Sequence, residues 1–496
     1  MKILSAVEKK QCNFWNHCTF GPTDAVEDPW GKRILDQMSK DGAVKTIRIY
    51  TMFEDIVYLD ENNELQYDFR LSDLRLDYLL ERGYDLLLTY AGMPDCIADN
   101  EFEKSSVTKN KTRYKGKMWN TSPPKDIKLW EEICYEYTKH NVERYGIEQV
   151  SKWCTQCFNE PDHRLFFMRG YPNEVDADIK VRCAGYCAMY KAFVRGVRRV
   201  SSRILVGGPV LAGNVVFLGY FLDFVREQNI DLDFISLHNY GTTPRALNEG
   251  TGKYCVQNQI NRHEKYLNVV KEHGYADRPI VIDEWGMSSA GFNNREECPA
   301  LMARETEIMS AYYVKLIDAC IRAGYNVDKL MICLSGQHEM TEDFSGFRNF
   351  FTLNFIKKPI YNAHVLASKL FDKLLKVECG NGDIAVIPTK NENGEYAVLF
   401  SYASEYFEED IPEIMESISF EEDIKDKVVR VWKIDKETTN PYRLYQKWGV
   451  EALTLEQLKL LREEGKLKPV LVQTGKEKLD LLLSANGAYL ITVTKE

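Results

Sequence analysis

The sequence lacks any uninterrupted run of about 18 apolar residues, the length that a membrane-spanning helix requires. Its first residues, MKILSAVEKKQCNFW, carry charge where a secretory signal needs an apolar centre. Basic residues are in the minority, with 64 Lys and Arg against 74 Asp and Glu and a net charge of −10. Nucleic-acid binding needs clustered Lys and Arg, so neither nucleic acid nor a membrane is an expected partner. Unless a signal was removed upstream, we expect a cytoplasmic protein.

The sequence also lacks the cysteine pattern of a disulfide framework. Its 13 cysteines are odd in number and scattered, which is typical of reduced thiols. The alternative is a four-thiolate zinc site built from Cys154, Cys157, Cys183 and Cys187. We favour ordinary core thiols, because Cys154 and Cys157 lie three residues apart in an expected strand and hence on opposite faces.

From about residue 29 to 376, helix-period segments alternate with short β-rich runs. The predicted strands, after a first one near Asn13–Cys18, are TIRIY (46–50), DLLLTY (85–90), KWCTQCF (152–158), RILVGG (203–208), DFISLH (233–238), PIVIDEW (279–285) and KLMICL (329–334). Eight strands, each followed by a helix, predict a (β/α)₈ TIM barrel over residues 11–376. A doubly wound open sheet is less favoured, because no Gly-rich phosphate turn follows the first strand.

After residue 377 the texture changes to alternating β segments between turn signals, such as GEYAVLFSY and KVVRVWKID. This pattern is typical of an antiparallel sandwich. We therefore predict an accessory C-terminal β-sandwich over residues 377–496, joined by an N-terminal strand within residues 1–10. A sandwich beside a barrel offers surfaces for association, so a homo-oligomer is an open expectation.

Two of the predicted strands end in glutamate. WCTQCF runs into Asn159-Glu160-Pro161, and PIVID runs into Glu284-Trp285. In a barrel, chemistry belongs at the C-terminal ends of the strands. Glycoside hydrolysis needs one carboxylic acid to protonate the leaving oxygen and a second, ionised carboxylate at the anomeric carbon. We therefore predict that Glu160 and Glu284 are catalytic.

The sequence around these glutamates resembles glycoside hydrolase family 39 of clan A, whose founding members are β-xylosidases and α-L-iduronidases. The matching stretches are collinear and cover nearly the whole chain; they include GMPDCIA (92–98), FNEPD (158–162), DFISLHNYG (233–241), VIDEWG (281–286), KKPIYNAHVLASKL (357–370) and IDKETTNPYRLYQKWG (434–449). The resemblance implies a retaining double displacement on a glycoside or short oligosaccharide, with no cofactor and no metal.

The resemblance also implies individual roles. Glu160 occupies the acid/base position and Glu284 the nucleophile position, while Asn159 matches the residue that bonds the sugar 2-hydroxyl. His238 and Tyr240 match the pair on the sixth strand, where the Tyr hydroxyl holds the nucleophile. Arg48, at the end of the second strand's apolar run, is expected to help keep Glu284 ionised. A satisfied core histidine and a structural ion pair remain the alternatives for His238 and Arg48.

Several positions depart from the family and bear on the sugar. Tyr50 stands where the family has a His that contacts a sugar hydroxyl, and Phe158 stands where a Trp is common. The Trp platform expected after the eighth strand is missing from LSGQHEM (334–340), where polar contacts from Gln337, His338 or Glu339 could replace it. Trp285 is a further expected sugar contact. Strand alternation should point Asp283 away from the barrel mouth.

The leading hypothesis is therefore a cytoplasmic, retaining exo-glycosidase, most typically a β-xylosidase. The departures keep open a retaining glycosidase acting on an arabinosyl, galactosyl or glucosyl unit. A non-catalytic carbohydrate-binding barrel is a second class of hypothesis, disfavoured because both carboxylates and Asn159 are retained. A metal-dependent barrel enzyme is a third, disfavoured by the absence of clustered His and Asp in a chain with 8 His.

Overall fold

The structure is a computed structural model that describes the chain except residues 11–12, 22, 106–117, 171–174, 290–292, 335–339, 451 and 496 and the side chains of 175–177. The expected polar contacts Gln337, His338 and Glu339 lie outside the described residues. Within the described residues, none of the helices is both long enough and apolar enough to cross a membrane.

In chain order the strands are β1 (Lys2–Lys10), β2 (His17–Phe20), β3 (Thr46–Tyr50), β4 (Val57–Leu59), β5 (Leu65–Tyr67), β6 (Asp85–Tyr90), β7 (Lys104–Ser105), β8 (Trp119–Asn120), β9 (Cys154–Cys157), β10 (Leu205–Leu211), β11 (Phe234–Thr242), β12 (Ile280–Ser288), β13 (Val327–Leu334), β14 (Lys373–Glu378), β15 (Ile384–Lys390), β16 (Tyr396–Tyr402), β17 (Ile414–Phe420), β18 (Val428–Ile434), β19 (Pro469–Thr474), β20 (Leu479–Leu483) and β21 (Gly487–Thr494).

The α-helices are α1 (Pro29–Asp41), α2 (Arg70–Leu80), α3 (Ile127–Tyr145), α4 (Ile147–Val150), α5 (Val175–Val200), α6 (Val215–Glu227), α7 (Pro244–Asn248), α8 (Val256–Glu272), α9 (Glu307–Ala323), α10 (Pro359–Ala367), α11 (Pro441–Trp448) and α12 (Leu455–Glu464). Local sequence signals explain their ends. Helix α1 begins at Pro29 and is capped after Asp41 by Gly42, whose φ of 64° is accessible to glycine without strain. Helix α12 opens with a capping box between Thr454 and Gln457.

Eight parallel strands close into a barrel in the order β2, β3, β6, β9, β10, β11, β12, β13. Closure comes from β13 pairing with β2, where Met331 lies beside His17 and Leu334 beside Phe20. Each barrel strand is followed by a helix that covers the outside. The predicted (β/α)₈ barrel is confirmed, and the open doubly wound sheet is wrong because the sheet has no edge in this closed arrangement.

Apolar side chains from five barrel strands fill the lower barrel: Leu87, Cys154, Phe234, Val281 and Met331 form one buried cluster. Side chains two residues further along a strand lie on the same face. Thr89, Gln156 and Asp283 follow members of this cluster by two residues, and they form a polar layer above it.

The cysteine placement excludes the four-thiolate site. Cys154 belongs to the cluster inside the barrel, whereas Cys157 belongs to the core between strands and helices. The two thiols therefore lie on opposite faces of β9, as the strand assignment predicted. Cys183 and Cys187 place their sulfurs 3.8 Å apart on α5. The cysteines that the structure describes are all free thiols.

The remaining large sheet has nine strands in the order β19, β18, β21, β16, β15, β14, β1, β17, β20. The N-terminal strand β1 lies within this sheet, antiparallel to β14 and parallel to β17. The sheet is curled. This follows from one buried cluster that contains side chains from its distant strands, namely Ile3, Val398, Ile418 and Leu483. The opposite face packs against the barrel, where α9 contacts β15, β16 and β21. The structure is thus a TIM barrel with a β domain built from both ends of the chain.

Candidate active site

Glu160 lies just beyond strand β9, in a segment of unusual backbone geometry. Phe158 has a φ of 62° and Glu160 a φ of 44°, both in the left-handed region that non-glycine residues rarely adopt. The Glu160 amide donates to the carbonyl of Val210 at 2.9 Å, which anchors the segment to β10. The Glu160 side chain is 15% exposed at the barrel mouth. Strained backbone of this kind is typical of functional positions.

Glu284 lies in strand β12 beside a β-bulge. In the register of β11 against β12, Leu237 pairs with Ile282 and His238 pairs with Glu284, so one residue is skipped. The Glu284 side chain points into the barrel mouth and is 9% exposed. Arg48 Nη1 donates to its Oε1 at 2.7 Å, and the Tyr240 hydroxyl donates to its Oε2 at 2.6 Å.

The surroundings of Glu284 favour its ionised form. Burial raises the pKa of this carboxyl, but the positive charges of His238, Arg48 and Arg348 and the hydrogen bond from Tyr240 lower it more. The net result is a pKa well below the usual range for glutamate. A carboxylate that stays charged at neutral pH can attack an electrophilic carbon or stabilise a cation beside it.

Glu160 has a different neighbourhood. His238 Nδ1 lies 2.7 Å from Glu160 Oε1 and 3.6 Å from Glu284 Oε2, so the imidazole stands between the two carboxyl groups. Burial lowers the pKa of His238, but the charges of Glu284 and Asp283 raise it to about 10 overall. One carboxylate oxygen of Glu160 and one of Glu284 lie within 4.8 Å of each other. The site thus holds two closely spaced carboxyl groups with unequal partners.

Asn159 is fixed beside the pair. Its Oδ1 accepts a hydrogen bond from Arg48 Nη2 at 2.7 Å and one from the Tyr50 hydroxyl at 3.2 Å. The Tyr50 hydroxyl also lies 3.3 Å from Glu284 Oε1. Because both donors occupy the amide oxygen, the amide nitrogen of Asn159 is the group oriented for an external acceptor such as a sugar hydroxyl.

Three side chains differ from their sequence expectations. Asp283 points into the barrel, not away from it: its Oδ2 lies 3.1 Å from Arg48 Nε and accepts from Gln156 Nε2 at 2.7 Å. Normal alternation from Val281 turns Asp283 inward, and the bulge then turns Glu284 inward as well.

The same bulge sends Trp285 outward. Its ring is fully buried and stacks on Tyr313 of α9, with centroids 5.4 Å apart. Phe158 is also fully buried, with its ring 5.7 Å from that of Trp119. Neither Trp285 nor Phe158 is exposed to a sugar, so the expectation that they contact substrate is wrong. Their role is to pack behind the site.

Some neighbours of the site escaped sequence reasoning. Thr89 and Gln156 support the polar layer, since Thr89 Oγ1 accepts from Arg48 Nε at 2.9 Å and from Gln156 Nε2 at 2.9 Å. Counting by two from the apolar residues of their strands would have found both. Arg348, whose guanidinium lies 4.9 Å from the Tyr240 ring centroid, follows β13 in an irregular loop and carries no such signal.

Trp119 forms an aromatic wall with Tyr50, ring centroids 5.8 Å apart in an edge-to-face arrangement. Its indole Nε1 donates to the Phe166 carbonyl at 2.9 Å, which fixes the ring. Trp119 is partly exposed while Tyr50 touches both Glu284 and Asn159. Tyr50 therefore connects the Trp119 ring to two polar side chains of the site, Glu284 and Asn159.

Ligand atoms of Glu160, His238 and Glu284 come close enough together to surround a metal ion. However, the guanidinium of Arg48 lies 2.7 Å from Glu284 and opposes a second cation there. The high pKa of His238 also opposes metal binding, because a metal needs the neutral imidazole. We interpret the cluster as a proton-sharing network.

The chain is similar to known carbohydrate-active proteins along its whole length. The pattern described as "Glycosyl hydrolases family 39" matches residues 2–475. A β-xylosidase of Caldicellulosiruptor saccharolyticus is 25% identical over 481 residues, covering 93% of this chain and 90% of that protein. The human α-L-iduronidase is 27% identical over 167 residues, which cover 31% of this chain and 23% of that protein.

The solved structures agree on the fold. A monomeric β-xylosidase from Caulobacter crescentus superposes with a TM-score of 0.82 at 17% identity, covering 99% of each chain. The match to the family extends over nearly all of the sequence, and it includes both strand ends that carry the paired carboxyl groups. This chain therefore belongs to glycosyl hydrolases family 39 and is a glycoside hydrolase.

Proposed function

We propose that this protein is a retaining exo-glycosidase that releases sugar units from short oligosaccharides, with β-D-xylosides as its substrates. Glu160 acts as the acid/base and Glu284 as the nucleophile. In the first step Glu160 protonates the glycosidic oxygen while Glu284 attacks the anomeric carbon. In the second step a water molecule, deprotonated by Glu160, releases the sugar from Glu284.

The separation of the two carboxyl groups carries this proposal. Their nearest ligand oxygens lie within 4.8 Å. Retaining glycosidases place the carboxyl groups about 5–5.5 Å apart, whereas inverting enzymes need about 6.5–9.5 Å to admit a water molecule. The spacing leaves no room for that water, so it favours direct attack by Glu284.

The different partners of the two groups support the assignment of roles. Glu284 is bound by Arg48 and Tyr240, and its pKa is lowered, as a nucleophile requires. Glu160 has neither of these partners among its described contacts; it is hydrogen-bonded to His238, which can exchange a proton with it. An acid/base must gain and lose a proton in each turnover.

The choice of xylose rests on the relatives named β-xylosidases in two organisms, Caldicellulosiruptor saccharolyticus and Geobacillus stearothermophilus. Tyr50 is the reason to test other sugars beside xylose. Its hydroxyl, within 3.3 Å of Glu284, stands where the family carries a His that contacts a sugar hydroxyl. An arabinosyl, galactosyl or glucosyl unit is therefore the second candidate.

The test compares aryl glycosides on the unmodified enzyme, Glu160→Ala and Glu284→Ala. We expect Glu284→Ala to lose turnover of every substrate. Glu160→Ala should lose about 10²–10⁴-fold in kcat/KM on poor leaving groups, and azide should restore turnover of activated substrates because it needs no general base. Proton NMR should show that the first sugar product has the same anomeric configuration as the substrate.

Two matched controls sharpen this test. Glu437→Ala and Glu463→Ala change exposed glutamates that pair with surface lysines outside the barrel, and both variants should retain activity. Full activity in Glu284→Ala would refute the two-glutamate assignment. A product of inverted configuration would refute the retaining mechanism alone. A higher kcat/KM on another glycoside than on the β-D-xyloside would replace xylose by that sugar.

A further inference from the structure

A third carboxyl group lies beneath the pair and has no part in the double displacement. Asp283 is fully buried inside the barrel. The two groups that contact its Oδ2, Arg48 Nε at 3.1 Å and Gln156 Nε2 at 2.7 Å, are both hydrogen-bond donors. Burying a carboxyl group costs free energy unless donors compensate for the lost water, and these two donors provide that compensation.

Asp283 also faces the imidazole that contacts Glu160. His238 is fully buried, and its Nε2 lies 3.7 Å from Asp283 Oδ2. Among the described residues, Nε2 has no hydrogen-bond partner within bonding distance. On the other side of the ring, Nδ1 lies 2.7 Å from Glu160 Oε1. The imidazole of His238 thus has Asp283 near one ring nitrogen and Glu160 near the other.

We propose that Asp283 is a positioning residue for the acid/base step: it keeps a proton on His238 Nε2, so that His238 Nδ1 and Glu160 Oε1 share a single exchangeable proton. This inference rests on the proposed role of Glu160. It adds a group that acts through His238 and does not touch the substrate.

The proton balance closes over one turnover. In the first step the shared proton moves to the glycosidic oxygen as the bond between that oxygen and the anomeric carbon breaks and Glu284 forms its ester. In the second step water loses a proton to the pair while its oxygen displaces the Glu284 carboxylate. His238 and Glu160 then hold one shared proton again, and the Nε2 proton has not moved.

The charges around His238 agree with a pair that retains its proton. The titratable or charged groups that face it are Glu160 after β9, Asp283 and Glu284 on β12, Tyr266 on α8, whose hydroxyl donates to the His238 carbonyl, and, beyond Asp283, Arg48 on β3. Burial lowers the pKa of His238, and the two carboxylates of β12 raise it to about 10 overall. The neutral-pH enzyme therefore begins each cycle with the proton in place.

The test is Asp283→Asn, which preserves size and removes the negative charge. For a glycoside with a poor leaving group, kcat/KM should fall about 10- to 100-fold, because that reaction depends on proton donation. For a dinitrophenyl glycoside, which needs no proton, kcat/KM should be nearly unchanged. The basic limb of the pH profile should move to lower pH, because the pair loses its proton more easily without Asp283.

Asp318→Asn is the matched control. It neutralises another buried aspartate, which pairs with Arg322 at 2.7 Å on α9, outside the barrel. Its ratio between the two substrates and its basic limb should match those of the unmodified enzyme. An equal loss on both substrates in Asp283→Asn, or an unmoved basic limb, would overturn the inference.

Nitrogen-15 NMR of histidine in the unmodified enzyme covers the case in which Asp283→Asn fails to fold. His238 Nε2 should be protonated near neutral pH; a bare Nε2 would contradict the inference. The failures are distinguishable. If Glu160→Ala stays active on poor leaving groups, the proposed acid/base role of Glu160 is refuted. If Glu160→Ala is inactive but Asp283→Asn behaves like the unmodified enzyme, only the role of Asp283 is refuted.

Discussion

At the scale of single residues, the balance of charge around Glu284 decides what the site can do. Its carboxylate receives Arg48 Nη1 at 2.7 Å and the Tyr240 hydroxyl at 2.6 Å. Arg48 also bonds Asn159 and lies 3.1 Å from Asp283. One guanidinium on β3 thus holds two carboxylates of β12 and the amide that follows β9, which fixes the geometry that the chemistry requires.

Replacing Tyr240 by Phe removes the donor to Glu284 and leaves the ring in place. A hydrogen bond to a charged group contributes about 1.5–3 kcal/mol, so kcat/KM should fall about 10- to 100-fold. This bond lowers the pKa of Glu284, so its loss raises that pKa. The acidic limb of the kcat/KM profile should therefore move to higher pH, because Glu284, as the proposed nucleophile, must be ionised to attack.

Tyr84→Phe is the control for that measurement. The Tyr84 hydroxyl donates to the Leu35 carbonyl at 2.5 Å, in the layer between strand and helix. Its removal should leave both the rate and the acidic limb unchanged. A fall in kcat/KM without any movement of the limb in Tyr240→Phe would contradict an electrostatic role for this hydroxyl.

At the scale of elements, the bulge in β12 organises the site. Asp283 faces inward by normal alternation; the bulge turns Glu284 inward beside it and sends Trp285 to the helix layer, where it stacks on Tyr313 of α9. The same helix contacts the strands of the second sheet. Helix α9 therefore connects the back of β12 to the β domain.

A buried ion pair joins the start of α9 to α11. Glu307 is fully buried and accepts from Arg443 Nη2 at 2.6 Å and from Asn440 Nδ2 at 2.7 Å. Glu307→Gln removes the charge, so the free energy of unfolding should fall by about 1–3 kcal/mol. The value lies below that of a fully buried pair because the Arg443 side chain is 29% exposed and solvent screens it.

Chemical denaturation with a fluorescence readout measures this change. Glu437→Gln is the control, since Glu437 pairs with Lys447 of α11 at the exposed surface. Its denaturation midpoint should equal that of the unmodified protein. An equal midpoint in Glu307→Gln would show that the buried pair does not stabilise the contact between α9 and α11.

At the scale of the whole molecule, barrel and sheet share one hydrophobic core. Ile387, Leu399 and Leu490 of the sheet belong to the same buried cluster as Leu316 and Ile317 of α9. The other sheet face closes over its own smaller cluster. Separating the two units would expose apolar surface on both, so we expect them to unfold together.

Scanning calorimetry should accordingly show one cooperative transition for the full chain. A fragment limited to residues 11–376 should aggregate, because α9 would expose the face that β15, β16 and β21 cover. Two well-separated transitions in the full chain, or a stable monomeric barrel fragment, would contradict a shared core.

The sequence by itself determined the barrel, because hydrophobic periodicity records which face of each strand and helix is buried. It also identified Glu160 and Glu284 as candidate site residues, since polar residues that end barrel strands differ from the apolar residues before them. Thr89 and Gln156 were within reach of the same reasoning by counting along their strands.

Only the tertiary structure decided the surroundings of those two glutamates. A bulge reverses which side of the sheet each later residue of the strand faces. No feature of the local sequence indicates the bulge in β12. The inward turn of Glu284 beside Asp283, the outward turn of Trp285 and the approach of Arg348 to Tyr240 follow from packing between distant segments. Periodicity is a local property of the chain, whereas the electrostatics of a buried carboxylate depend on the residues that folding brings around it.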